Sequence, residues 1–135
     1  MVGSVVLRTD VHDEAVAVIE LGMQTRPLAN RWRFEVFSSA WRLQSVDAVI
    51  AGAGDSVEFT RPSLARLSGA TLSRVTVAPA FFDARLWFGD LEFRVFPEYT
   101  GDDPGYCYWS VSLPTGRELI VGPGRRFRFA TTGDR

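Results

Sequence analysis

The sequence predicts a mainly β protein in which two antiparallel meanders pack as a sandwich or curl into a barrel. Three observations favour this class: apolar and polar residues alternate along several short segments, glycine and proline separate those segments, and similar segments occur twice in the same order. The pattern does not separate a sandwich from a barrel. At 135 residues, the chain is expected to form a single domain over 1–135.

The first half, about residues 4–54, is predicted to contain five strands. One of them is ambiguous: in HDEAVAVIELG, residues 12–22, Asp13 could cap a helix, but the β-branched residues favour a strand. In RWRFEVF, residues 31–37, aromatic and β-branched residues alternate with charged ones. That alternation is typical of a half-buried strand.

The stretch AVIAGAGDS, residues 48–56, looks like the opening of a dinucleotide-binding loop. Such a loop would need Gly or Ala three places after Gly54 and a helix opening there, but position 57 is valine and DSVEFT predicts an extended segment. We therefore interpret Gly52 and Gly54 as a turn with positive φ at the end of a strand.

One short helix is predicted at about 61–67, as the connector between the halves. Thr60 is its candidate N-cap, Pro62 suits a first turn and Gly69 would end it.

Two hairpins are predicted in the second half, about residues 71–124. In ARLWFGDLEFRVF, Gly89 and Asp90 form a two-residue turn, and in SLPTGREL the bend falls at Pro114 and Gly116.

The two halves repeat one series of segments, which indicates an internal duplication. Their shared order carries this interpretation, because each match alone is weak. The matches are RFEVF with EFRVF, Trp41 with Trp109, and VIAGAG with LIVGPG, which aligns Gly52 with Gly122.

An insertion in the second half is the first candidate for a binding loop. Four positions separate Phe37 from Trp41, whereas thirteen separate Phe96 from Trp109, so nine extra residues lie within 97–108. Insertions into one repeat map to loops, and loops carry binding. A tolerated surface loop is the alternative. The candidate binding residues here are Tyr99, Tyr106 and Tyr108.

Three further residues are candidate contacts: Trp87 beside a hairpin turn, and Arg125 and Arg126 in GRRFRF. Arginines interleaved with aromatic residues can bind single-stranded nucleic acid, but the same pattern fits a strand with its arginines pointing outward. Because the formal net charge is −1, we favour the strand and predict no nucleic-acid partner.

The composition argues against several kinds of chemistry. The chain has 15 arginines and no lysine, which excludes Schiff-base catalysis and a lysine-containing P-loop. Cys107 is the single cysteine, so an internal disulfide and a thiolate metal cage are excluded. His12 with Asp10 and Asp13 could bind a metal or form an acid–base pair, but a polar turn is favoured. We predict no catalytic residue, metal or cofactor.

No stretch approaches the ~18 apolar residues of a membrane helix, and MVGSVVLRTD lacks the pattern of a signal peptide. We therefore expect a cytoplasmic protein without membrane contacts.

Within residues 69–124, a tryptophan strand, a Pro/Gly turn and a Val-Gly-Pro-Gly ending follow one another, marked by Trp109, Pro114 and Gly116. This series resembles the C-terminal half of a family of small, mainly actinobacterial β-rich domains of unknown function. The resemblance implies a β fold and no particular activity.

We expect a non-enzymatic protein-binding domain, for example an immunity protein that neutralises a cognate toxin. The tyrosine-rich insertion and the missing catalytic groups favour this function. The alternative is a small-ligand carrier with an aromatic-lined barrel interior, because the chain has four tryptophans and ten phenylalanines. Unpaired edge strands would also allow a dimer.

Overall fold

The computed structural model describes residues 1–13, 16–26, 30–37, 39–98 and 107–131. Within these ranges, eleven strands and one short α-helix confirm the mainly β class. The first half supplies β1 (Val5–His12), β2 (Val16–Gly22), β3 (Trp32–Val36), β4 (Ser39–Gln44) and β5 (Val49–Gly52), followed by α1 (Val57–Leu64). The second half supplies β6 (Arg74–Val77), β7 (Ala84–Phe88), β8 (Leu91–Pro97), β9 (Trp109–Ser112), β10 (Arg117–Val121) and β11 (Phe127–Thr131).

The strands form two antiparallel sheets. Sheet one has the order β1-β2-β3-β9-β10-β11, and sheet two has the order β5-β4-β8-β7-β6. Apolar side chains of both sheets form one buried cluster, as in a sandwich. Within the described residues no ladder joins the two sheets, so the barrel alternative is not formed there.

The local expectations for the two hairpins and the ambiguous strand are confirmed. Residues 16–22 form β2, because their β-branched side chains pack between two neighbouring strands. Phe88 pairs with Leu91 across the two-residue turn, and the bend after β9 leads directly into β10.

The chain changes sheets at the same point in each half. β3 lies in sheet one and β4 in sheet two, with the change between Val36 and Ser39. In the second half, β8 lies in sheet two and β9 in sheet one. Sheet one therefore combines three strands of each half, and sheet two combines two strands of the first half with three of the second.

The strand register is also the same in the two halves. Val36 lies opposite Trp109, and Val95 lies opposite Trp41. We call two residues counterparts when they hold the same register position in the two halves, as Trp41 and Trp109 do. A common origin of the halves stays a prediction. Further matched pairs are Phe34–Val111 with Phe93–Leu43, and Ala17–Val36 with Ala84–Val95.

Four aromatic rings at the centre of the core follow this arrangement. The ring centroids of Phe34 and Trp109 are 5.5 Å apart, and those of their counterparts Phe93 and Trp41 are 5.4 Å apart. Phe34 and Phe93 meet edge to face at 6.3 Å. Offset and edge-to-face pairs stabilise a core beyond the area that they bury, so these rings join the two halves.

The register corrects the glycine alignment. Gly52 lies opposite Arg42, whereas Ile120 lies opposite Ser110, the counterpart of Arg42. Gly52 therefore matches Ile120 and not Gly122. The φ angle is positive at Gly122 but not at Gly52 or Gly54, so the expected positive-φ turn at residues 52–54 is wrong. The Asp55 carboxylate accepts the Gly52 N–H at 2.9 Å and fixes that bend instead.

The short helix is confirmed, but it begins earlier than predicted. It starts at Val57, so DSVEFT is not an extended segment, and Thr60 lies buried inside α1 where it was expected to be the cap. A 3₁₀ turn follows over Ala65–Leu67. Burial of Leu64 and Leu67 against the core outweighs the β propensity of residues 57–59.

Gly122 offers a test of the packing at the point where β10 ends. Its φ is +84°, and a Cβ added there would lie 2.6 Å from the Tyr108 ring. We expect Gly122→Ala to lower the free energy of unfolding by about 2 kcal/mol more than Gly116→Ala, because overpacking adds to backbone strain. Gly116 is the matched control, since its φ is +81° and its added Cβ meets nothing within 4 Å. Urea unfolding measures both, and equal losses would contradict this packing.

Candidate functional site

An apolar groove of about 310 Å³ opens between the two sheets on the side of β6 and β11. Every described residue that lines it is aliphatic, aromatic or methionine. The residues that decide its character are Val75 and Val77 on β6, Leu119 on β10, Phe129 on β11, the half-buried Trp32 and the core tryptophan Trp109.

β11 exposes two phenylalanines beside this groove. Phe127 pairs with Val121 and Phe129 with Leu119, so both rings point to the same side of sheet one as these core-facing residues. They are nevertheless 62% and 52% exposed. Sheet two ends at β6, so no described strand faces β11 and covers them.

The opposite side of the sandwich is covered by α1, which packs against the edge strands β1 and β5. Arg61 on α1 donates a hydrogen bond from Nε to Asp10 Oδ1 at 3.1 Å and one from Nη2 to the Val11 carbonyl at 2.9 Å. Burial opposes the charged form of Asp10, but the Val11 N–H, His12 and Arg61 outweigh it and lower the pKa of this carboxyl. An ion pair and a backbone contact therefore fix α1 in place.

The groove occupies the position in the second half that α1 covers in the first. Val11 lies opposite Ala17, and Val77 lies opposite Ala84, so Val11 and Val77 are counterparts. Val11 is 0% exposed beneath the helix, whereas Val77 is 39% exposed at the groove.

The counterpart strands β5 and β10 give the same comparison. Ala51 lies opposite Leu43, and Leu119 lies opposite Val111. Ala51 is buried, whereas its counterpart Leu119 is partly exposed. Two equivalent apolar surfaces therefore differ in whether a described segment covers them.

The candidate binding residues that the structure describes do not meet at one place. Tyr99 and Tyr106 lie outside the described residues. Tyr108 is buried, and its hydroxyl accepts the Gly124 N–H at 3.0 Å. This tyrosine therefore holds the turn after β10 and does not present a ring to solvent.

Trp87 lies away from the groove. It pairs with Glu92 and Arg74 across the neighbouring strands, on the face of sheet two that points away from the core. The guanidinium carbons of Arg74 and Arg85 lie 4.7 and 4.8 Å from the ring centroid. These cation–π contacts already engage the indole.

Arg125 and Arg126 are the two predicted residues that lie near the groove. Both are exposed in the turn before β11 and line a neighbouring depression of about 410 Å³ with Phe127. The strand predicted for GRRFRF is confirmed only for residues 127–129, which open β11, whereas Arg125 and Arg126 precede the strand. The sequence analysis did not identify Val77 and Leu119 as surface residues. The alternation of apolar and polar residues in a strand does not show whether another segment packs over its apolar face.

The polar turn expected at the histidine is only partly correct, because Asp10 and His12 lie at the end of β1 and Asp13 begins the turn. His12 Nε2 lies 3.4 Å from Asp10 Oδ2, and Asp13 has a φ of +44°. Within the described ranges, no three His, Cys, Asp or Glu side chains gather as a metal site. Among the helices described, none has the length and apolar character needed to cross a membrane.

Comparisons with protein families, curated proteins and solved structures found no match to this chain. The resemblance to actinobacterial domains stays a prediction.

The different exposure of Val11 and Val77 predicts that truncating these two counterparts lowers the free energy of unfolding by different amounts. We expect Val11→Ala to lower the free energy of unfolding by about 2 kcal/mol, because it removes buried methyl groups and leaves a cavity beneath α1. Val77→Ala should cost less than about 1 kcal/mol, because its side chain is already partly hydrated. Urea unfolding of both variants measures the difference. Equal costs would show that Val77 is as well covered as its counterpart.

Proposed function

We propose that this protein is a non-enzymatic protein-binding domain whose partner docks in the apolar groove beside β6 and β11. The observation that carries this proposal is the apolar groove lined by Val77, Leu119 and Phe129, with the exposed Phe127 beside it on β11. Exposed aromatic residues beside an apolar groove are typical of interface cores, and large exposed apolar patches mark interaction sites.

The chemistry of the groove favours binding over catalysis. None of the described residues that line it carries an acid, a base or a nucleophile. The polar groups of this surface lie at its rim: the Arg117 guanidinium carbon is 4.8 Å from the Phe129 ring centroid, and Arg125 and Arg126 follow in the next turn. An apolar centre with a charged rim is the usual composition of a protein interface.

A small-ligand carrier is the second candidate, and the groove itself is what favours it. Its volume of about 310 Å³ lies at the lower end of the range for small-molecule sites. The described lining offers no polar group that would orient a ligand, so a carried molecule would be wholly apolar where it meets the protein.

The two candidates are separated by site-specific photo-cross-linking in cells of the native host. Benzoylphenylalanine replaces Phe129 in one variant and Phe59 in a control. Phe59 lies on α1 and is 51% exposed, against 52% for Phe129. We expect protein adducts of discrete mass from position 129 only. Purified partner should then bind the Val77→Glu variant about tenfold more weakly than the wild type.

Equal adduct yields at positions 59 and 129, or none at either, would contradict the protein-binding function. An apolar small molecule that copurifies with the wild type and is lost from the Val77→Glu variant would support the carrier instead.

A further inference from the structure

We propose that the groove binds an amphipathic α-helix of a partner protein, with an apolar stripe along one face and acidic residues beside it. The helix would sit on the second half as α1 sits on the first. This inference rests on the proposed protein-binding function and names the class of partner segment.

The first support is the position of the groove relative to the repeated strand order. α1 covers the space between β1 and β5, which are the edge strands of the two sheets on that side. Their counterparts are β6 and β10, and these strands wall the groove. The protein therefore already contains one helix seated on an equivalent surface.

The second support is the fit of a helix to the gap. Packed sheets lie about 10 Å apart, which matches the diameter of an α-helix with its side chains. A strand added to the edge of β6 or β11 would extend one sheet outward and leave Val75 and Leu119 uncovered. A helix laid along the groove would contact both walls at once.

α1 also gives the spacing of the apolar stripe. The residues that face the core from α1 and the turn after it are Val57, Thr60, Leu64 and Leu67, at intervals of three, four and three. This spacing follows one face of a helix. The partner segment should carry apolar residues at the same intervals.

The charged residues at the edge distinguish the surface under α1 from the groove. Asp10 holds Arg61 of α1 in the first half, whereas Thr76 takes the position of Asp10 in the second. Arg117 lies beside Phe129 at the groove, and Arg125 and Arg126 line the neighbouring depression in the turn before β11. Within the described residues 107–131 the single acid is Glu118, which is 0% exposed. A helix with acidic residues beside its apolar stripe therefore complements the groove of the second half. A copy of α1 would instead bring its own arginine, Arg61, close to the arginines there.

The one α-helix within the described ranges, α1, already packs against β1 and β5. Outside the described ranges, the longest stretch is YTGDDPGY at 99–106, whose glycines and proline are poor helix formers. The proposed helix is accordingly one of a partner molecule.

The test is a selection from a yeast-displayed library of random 16-residue peptides. The labelled full-length protein serves as the bait, and the Val77→Glu variant serves as the counter-selection bait. Val49→Glu is the matched control, because Val49 is 63% exposed on β5, the opposite edge of sheet two. We expect enriched peptides with apolar residues at helical spacing and a net negative charge.

The selected peptides then provide the affinities. Binding should weaken about tenfold or more for Val77→Glu and for Phe129→Ala, and less than about twofold for Val49→Glu. Arg117→Glu should weaken acidic peptides and strengthen variants of them in which Lys replaces Glu. Circular dichroism and thermal unfolding of each variant show whether it is folded.

Four outcomes would overturn all or part of this proposal. Groove-dependent peptides with alternating apolar residues would show that the partner adds a β-strand and not a helix. The proposed protein-binding function would not be affected. No groove-dependent peptide at all would remove the helix, and the cross-linking experiment would then decide on the function separately. If Arg117→Glu leaves groove-dependent binding unchanged, the proposed acidic residues beside the apolar stripe would be contradicted. Self-association that Val77→Glu abolishes would assign the groove to a second copy.

Discussion

Contact among four aromatic rings holds the two halves of this protein together. Phe34 packs on Trp109, Phe93 packs on Trp41, and the two phenylalanines meet edge to face between the sheets. Each pair joins a strand of one half to a strand of the other, because the chain changes sheets twice. Neither half has a complete sheet of its own, so the core exists only when both are present.

The repeated strand order makes one difference between the halves informative. After β5, the chain forms α1 and covers the adjoining open side of the sandwich. After β10, it turns at Pro123 and adds β11 to the edge of sheet one instead. No described segment covers the second open side, where Val77 and Phe129 are exposed. The proposed function is based on this difference, in which α1 covers one open side and no described segment covers the other.

The sequence predicted what short-range patterns determine. Alternation identified most strands, and the turn at Gly89 and the matched Trp41 and Trp109 were located from residue types alone. The helix start at Val57 was missed, because its β-branched residue favours a strand and tertiary contacts decide otherwise. The exposure of Val77 depends on whether another segment covers its side of the sandwich, and no local pattern records that.

Native-state hydrogen exchange under increasing urea tests the joining of the halves most directly. The amides of β3 and β9 in sheet one and of β4 and β8 in sheet two should share one opening free energy and one urea dependence, because both sheets lose their shared core together. A lower opening free energy with a smaller urea dependence in one sheet alone would show that the sheets open separately, which would contradict a core that requires both halves.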